Sequence, residues 1–435
     1  LIKVSGIDVL NEKNLENIVA MDQSRQQRFR KLKSYFDKGK SDGESSVVAN
    51  FCSYITQVST GYFIGRPVTY TAAEGGSDFL EHVQDVLTYN DEQDHNAQLA
   101  ESISIFGCAF EVLYMDEDAK IRFACLPVEE VIPIYLDSIE ERLIAALRVY
   151  TVPNITTTTE KTYRAELYTD AEVISYTVQA GKFTESERAG HPFKDVPINV
   201  YRNNNGEYGD FEKVVDLIDG YNRSQGNTAA DMDDFTDAFL MLVGMSGTRP
   251  EDVAEAKKNK VLLLENEGAA AWLTKQVNDT WVENYKNRLQ NDIHIISMVP
   301  RLTDESFAGN VSGEAMKYKL WGLEQITSKK ERKFKRALQR RLELIANVLE
   351  IKRKEFDYRL VQIKFQRSLP VNTTETAETI SKYSGILSHE TLIGMVPGIE
   401  DPAAEYQKYL NEREANSAYA GWAPAPAEHE PEGDE

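Results

Sequence analysis

Apolar positions recur every three or four residues along much of this chain, and in its middle they alternate instead. Residues 11–37 read as a polar helix, with Leu15, Ile18 and Val19 on one side and Phe29, Leu32 and Phe36 further along. Lys38 to Ser46 is a linker by composition. Residues 47–60 carry Val48, Phe51, Ile55 and Val58 at helical spacing, and Gly61 to Tyr70 is expected to turn into a strand. Two further amphipathic helices are expected over 78–90 and 94–106, the second stopped by Gly107. From Phe110 to about Val200 short strands replace helices. Lys161–Tyr168 and Glu172–Val178 are rich in β-branched and aromatic residues.

Beyond a loop at 203–209 the helical period returns. Thr228 reads as the cap of a helix with Met232, Phe235, Phe239 and Leu242 on one stripe. A small module follows, with a short helix near 250–258, a strand at 261–264 and another around 272–275. A helix from Asp279 to Ser297 places Val282, Tyr285, Leu289, Ile293 and Ile296 in line, and Pro300 stops it. After a polar loop comes the longest helix, 313–353, a rod of roughly 60 Å at 1.5 Å per residue. Its run 327–333 has no apolar residue and is expected to be a kink. A strand over 358–365 and helices over 374–387 and 401–415 follow. The fold class is α+β.

The chain has 435 residues, enough for two to four packed regions. Its net charge of −21 argues against a protein that grips nucleic acid over its whole surface, but not against one past which DNA slides. Cys52, Cys108 and Cys125 make neither a disulfide framework nor a metal motif. No apolar run is long enough for a membrane helix, and nothing reads as a signal peptide.

Tests for chemistry fail one by one. Gly39-Lys40-Ser41 has the end of a phosphate-binding loop, but Ser34 stands where the first Gly is needed. Gly244 to Gly247 is one residue short of a nucleophile elbow. His389-Glu390 lacks the second His of a zinc protease, since residue 393 is Ile. Asp231, Asp233 and Asp234 lack the Gly and distal Glu of a calcium loop and read as a solvated helix face. Asn154-Ile-Thr156 matches a glycosylation acceptor in a chain with no secretory mark. No catalytic residue, metal or cofactor is expected. Positive charge concentrates in one place: 313–354 holds thirteen Lys or Arg against five Glu. Lys329, Lys330 and Lys333 are candidates for DNA phosphate, against the plainer reading of paired or solvated charges.

Four blocks, in order, carry a resemblance. Gly61-Tyr-Phe-Ile-Gly-Arg-Pro-Val68, Phe106-Gly-Cys-Ala-Phe-Glu-Val-Leu-Tyr114, Asn310-Val-Ser-Gly-Glu-Ala315, and Leu369-Pro-Val-Asn372 with Ser384-Gly-Ile-Leu-Ser388 resemble the portal protein family of long-tailed (siphovirus-type) double-stranded DNA bacteriophages. The order helix, small module, helix, loop, long rod is similar to that family's subunit plan.

The resemblance implies a portal fold. It would have a wing at 1–227, stem helices at 228–244 and 279–300, and a clip at 245–278. A tunnel loop would lie at 301–312, the long wing helix and its strand at 313–369, a crown at 370–415 and an acidic disordered tail at 416–435. It implies a dodecameric ring at one capsid vertex, assembled in the host cytoplasm and acting as a passive conduit for double-stranded DNA. Implied partners are the terminase large subunit, a head-completion or adaptor protein, and the major capsid and scaffolding proteins, with no membrane. Asp304, Glu305, Ser306, Phe307, Asn310 and Ser312 would lie near DNA, and Asp233, Asp234, Asp237 and Glu283 would line the bore. The alternatives are another virion ring or scaffold protein, or a nucleic-acid-processing enzyme.

Overall fold

A computed structural model describes residues 1–39, 47–153, 161–236, 239–243, 249, 251, 269–273, 279–303, 313–351, 356–368, 373–396, 398–399 and 402–420. The chain divides into two units, one of residues 1–301 with 322–367, the other of 302–321 with 368–435.

In the first unit, β1 (Ile2–Val4) precedes α1 (Glu12–Lys38), α2 (Phe51–Ile64), β2 (Thr69–Ala72), α3 (Ser77–Tyr89) and α4 (Glu92–Phe106). Asn11 caps α1 and Asn50 caps α2 through their side-chain oxygens, which accept from the third residue on. The expected turn at Gly61 is absent. Helix α2 continues to Ile64, and Gly61 meets no neighbour that would force a bend.

Eight strands follow: β3 (Cys108–Met115), β4 (Ile121–Leu126), β5 (Val131–Leu136), β6 (Leu143–Pro153), β7 (Lys161–Tyr168), β8 (Glu172–Gln179), β9 (Lys182–Gly190) and β10 (Ile198–Arg202). One sheet runs β1-β5-β6-β7-β8-β9, antiparallel except for β1 against β5. A second runs β10-β3-β4. Leu15 and Ile18 of α1 are buried with Ile134, Leu147, Leu167 and Ile174 of the first sheet in one core.

The other core surrounds the long helix. After β10 come α5 (Val215–Thr236), β11 (Phe239–Val243), β12 (Ala269–Leu273), α6 (Asp279–Ser297), α7 (Gly313–Lys319), α8 (Trp321–Leu349) and β13 (Val361–Lys364). Phe334, Leu338, Leu342 and Ile345 of α8 are buried with Phe63, Val83, Leu99, Ile103 and Leu113. Strand β13 pairs with β2 and carries Val361 and Ile363 into the same core.

The sequence reading needs three corrections here. The helix expected over 228–244 begins at Val215, and Thr228 lies inside it, its hydroxyl donating to the Ser224 carbonyl. Phe239–Val243 is a strand, paired antiparallel with Ala269–Leu273. A continuous apolar run fits either state, and here pairing across the module decides. The third concerns the rod. Its helix is unbroken through 327–333, because Thr327 and Lys330 of that polar run are buried; the interruption lies at Leu320 instead. The expected short helix near 250–258 and strand at 261–264 lie outside the described residues, apart from Glu251.

The second unit contains α7, α9 (Thr373–Tyr383), α10 (His389–Ile393) and α11 (Pro402–Ala420). Ser388 caps α10, and the His389 ring stacks on Tyr406 of α11 at 5.7 Å.

Candidate functional site

Helix α4 turns one face toward α8. Glu92, His95, Asn96, Leu99, Ala100, Ile103 and Ser104 of that face are all buried. Its middle is apolar and its two ends are ionic. At one end Arg341 of α8, 1 % exposed, donates Nε to Glu111 Oε1 of β3 at 2.9 Å and Nη2 to Asn96 Oδ1 at 3.0 Å. Its Nη1 lies 3.3 Å from Glu92 Oε1. Glu111 Oε1 also lies 2.7 Å from His95 Nε2, while Oε2 accepts from Asn199 Nδ2 and Tyr201 hydroxyl at 3.1 and 3.0 Å. Burial alone would raise the Glu111 pKa. The Arg341 guanidinium and His95 outweigh it and draw the carboxyl down to about 2. Burial holds the Tyr70 and Tyr201 hydroxyls well above their ordinary range, so both remain donors.

At the other end Asp210, in the segment leading to α5, is a four-way junction. Its Oδ2 accepts from Lys330 Nζ and Ser104 Oγ, both at 2.6 Å, and from Ser59 Oγ at 2.7 Å; Oδ1 accepts from Asn203 at 2.8 Å. Burial would raise this carboxyl too, and Lys330 overrides it, so its pKa is lowered. A third attachment closes on Arg367, which spans Glu324 at 2.8 Å and Glu331 at 2.7 Å. Tyr62 donates to the same Glu324, whose pKa falls to about 2 despite burial.

One trio has the order of a nucleophilic site. Cys125 Sγ lies 3.5 Å from His95 Nδ1, and His95 Nε2 faces Glu111. Burial pushes the Cys125 thiol up to about 12, so it is not a thiolate at neutral pH, and Glu111 is already committed to Arg341. The arrangement is a structural brace. Among the described residues no cluster of His, Cys, Asp or Glu could hold a metal ion, and no helix is long and apolar enough to cross a membrane.

The candidates from sequence separate sharply. Lys330 is buried against Asp210 and has no route to phosphate. Lys329 is exposed, and Lys333 is half-buried in a cleft. Glu283 is exposed on α6 and pairs with Lys286 at 3.0 Å. Asp233 and Asp234 fall in α5, but their side chains, like Asp237, lie outside the described residues. So do Asp304, Glu305, Ser306, Phe307, Asn310 and Ser312. Helices α5 and α6 pack together: a Cβ on Gly220 would sit 3.7 Å from Leu289. Of the line expected on α6, Leu289 and Ile293 are buried, whereas Tyr285 and Ile296 are exposed. Sequence reasoning missed the buried ions Glu92, Glu111, Asp210 and Arg341. The available signal was a carboxylate in the middle of the apolar strand Cys-Ala-Phe-Glu-Val-Leu, which must find a cation.

The family model and the curated relatives agree with one another. The model of the family "Phage portal protein, SPP1 Gp6-like" matches residues 10–419. A portal protein of Bacillus phage SPP1 is 25% identical over 81% of this chain and 73% of its own length. A portal protein of Clostridium phage phiCD119 is 23% identical over 92% of this chain and 96% of its own. Among solved structures, a chain from the neck of an empty GTA particle shares 14% identity at a TM-score of 0.46, covering 80% of this chain and 88% of that one.

Proposed function

The chain belongs to the SPP1 Gp6-like family of phage portal proteins, and from that premise we infer how this portal subunit is built to work. It is a structural component of the phage particle. We propose that twelve copies close into a ring at one capsid vertex, assembled in the host cytoplasm, through which double-stranded DNA is packaged and later ejected. The observation that carries this reading is the chain order. Helices α5 and α6 pack as a pair, the β11–β12 pair lies between them in sequence, and α8 follows.

In this reading α5 and α6 are the stem and the hairpin module is the clip. Residues 301–312 form a loop that narrows the channel, and 370–415 form the crown. Asp233, Asp234, Asp237 and Glu283 would face the bore. A negative wall does not hold phosphate, so DNA can slide. Asp304, Glu305, Ser306, Phe307, Asn310 and Ser312 would meet DNA, with Phe307 supplying a steric rather than ionic contact. Exposed Lys329 and half-buried Lys333 remain available to phosphate.

The ring acts as a passive conduit and is not an enzyme. Chemical work belongs to a docked terminase large subunit, while capsid, scaffolding and head-completion proteins bind its outer surfaces. Native mass spectrometry and negative-stain imaging of the full chain test the proposal. Closed rings are expected because head-to-tail contacts whose rotation closes make a ring, with about twelve subunits as the family resemblance implies. A monomer under every solution condition would overturn it.

A further inference from the structure

Between Arg66 and Lys120 the chain carries twelve Asp or Glu and no Lys or Arg. Two of the twelve, Glu92 and Glu111, are buried against Arg341. Asp94 and Glu101 of α4 are exposed and meet no cation among the described residues. Their side of α4 is turned away from α8, because Asn96, Leu99 and Ile103 occupy the inner side. With Ala97 of α4 and Gln57 and Gly61 of α2 they line a groove of about 330 Å³. Glycine is a poor helix former, and Gly61 lies within α2. No contact inside the chain requires it, since a Cβ there would meet nothing within 4 Å. A residue without a side chain at that point leaves the groove open to a group from outside.

The outer side of α8 has the opposite sign. Lys329, Arg332 and Arg336 follow one another there at three- and four-residue steps; all are exposed, and none is ion-paired among the described residues. Like charges so spaced repel along a helix. Arg332 and Arg336 lie about half a turn round from Phe334, Leu338 and Arg341, which turn toward the core and α4. The acidic groove and the basic stripe thus sit on opposite sides of one core, where they cannot neutralise each other. Copies set head to tail bring them together, and such contacts are the kind that close into rings. Each copy carries −21, so association has a general repulsion to overcome. A second copy answers both faces at once. A nucleic acid answers only the basic face, and a cationic partner only the acidic one.

We propose that Arg332 and Arg336 of one subunit dock at the groove between α2 and α4 of its neighbour, beside Asp94 and Glu101. The contact rests on the ring reading above and assigns the surfaces that face each other in it.

The test is assembly of the full chain, followed by native mass spectrometry and sedimentation at low and high salt. R332E/R336E and D94K/E101K should each weaken association about tenfold or more, as like charges placed face to face do. All four reversals in one chain should restore rings, because every contact regains opposite charges with the signs exchanged. Gly61→Leu should weaken assembly as well, by filling the groove without changing charge. Each variant should keep the parent's helical content, so that lost assembly is not lost folding. Rings as stable as the parent's in R332E/R336E would overturn the contact and leave the ring reading standing. So would a fourfold variant that assembles no better than either double. Parent-like rings that fail to retain DNA in R332E/R336E would assign the stripe to phosphate instead. A parent chain that is monomeric under every solution condition would overturn both readings.

Discussion

At the residue scale, the decisive groups are charges that water never reaches. Arg341 and Glu111 are fully buried, and each has its remaining hydrogen-bonding capacity occupied by neighbours. Burying such a pair costs desolvation that attraction only partly offsets, so its value lies in specifying one arrangement. Its titration has a definite sign. Glu111 and Glu324 have folded pKa values near 2, below the ordinary 4.5. The stability they contribute is therefore complete above about pH 4.5 and is lost as pH falls toward about 2. Chemical denaturation followed across that window should show a steady decline. Glu111→Gln should start about 3–5 kcal/mol less stable at neutral pH, because Arg341 is left without its main counter-charge. It should also lose part of the acid slope. An unchanged slope in this variant would remove Glu111 from the account.

At the element scale, periodicity was a good guide wherever one face of a helix is buried. The reading of α1 to α4 and of β7 and β8 matches the structure within a few residues. It failed where the decisive partner is remote. Phe239-Leu-Met-Leu-Val243 reads equally as helix or strand until Ala269–Leu273 pairs with it. The polar run 327–333 looks like a weak point until Asp210 meets Lys330. Gly107 shows the opposite case, a boundary that is both legible and enforced. It ends α4 in the left-handed region at φ 83°, and a Cβ there would collide with the Glu207 carbonyl. Gly107→Ala should cost at least ~1–2 kcal/mol from the backbone conformation alone, with the collision added. Thermal unfolding measures this, and a melting temperature equal to the parent's would show that the 203–209 segment can move aside.

At the scale of the whole molecule, the order of elements was visible in the sequence, and the buried ionic contacts were not. Glu92, Glu111, Asp210 and Arg341 are spread over 250 positions, and no local rule brings them together. The candidates named for DNA are a matter of placement within a ring. Their test is therefore a whole-particle one. Removing residues 304–309 should leave rings intact while impairing DNA packaging or retention in assembled heads. Wild-type retention in that deletion would show that the loop is not the part of the channel that meets DNA.

Lys330 and Arg341 are eleven residues apart, about three helical turns, and so lie on one side of α8. They engage opposite ends of α4 and its neighbours. Gain or loss of a single residue between them would swing one attachment about 100° away from the other. The interval 330–341 is thus a fixed ruler written into the gene. An inserted or deleted residue is expected to be tolerated only on either side of it, because within it one of the two buried attachments must break.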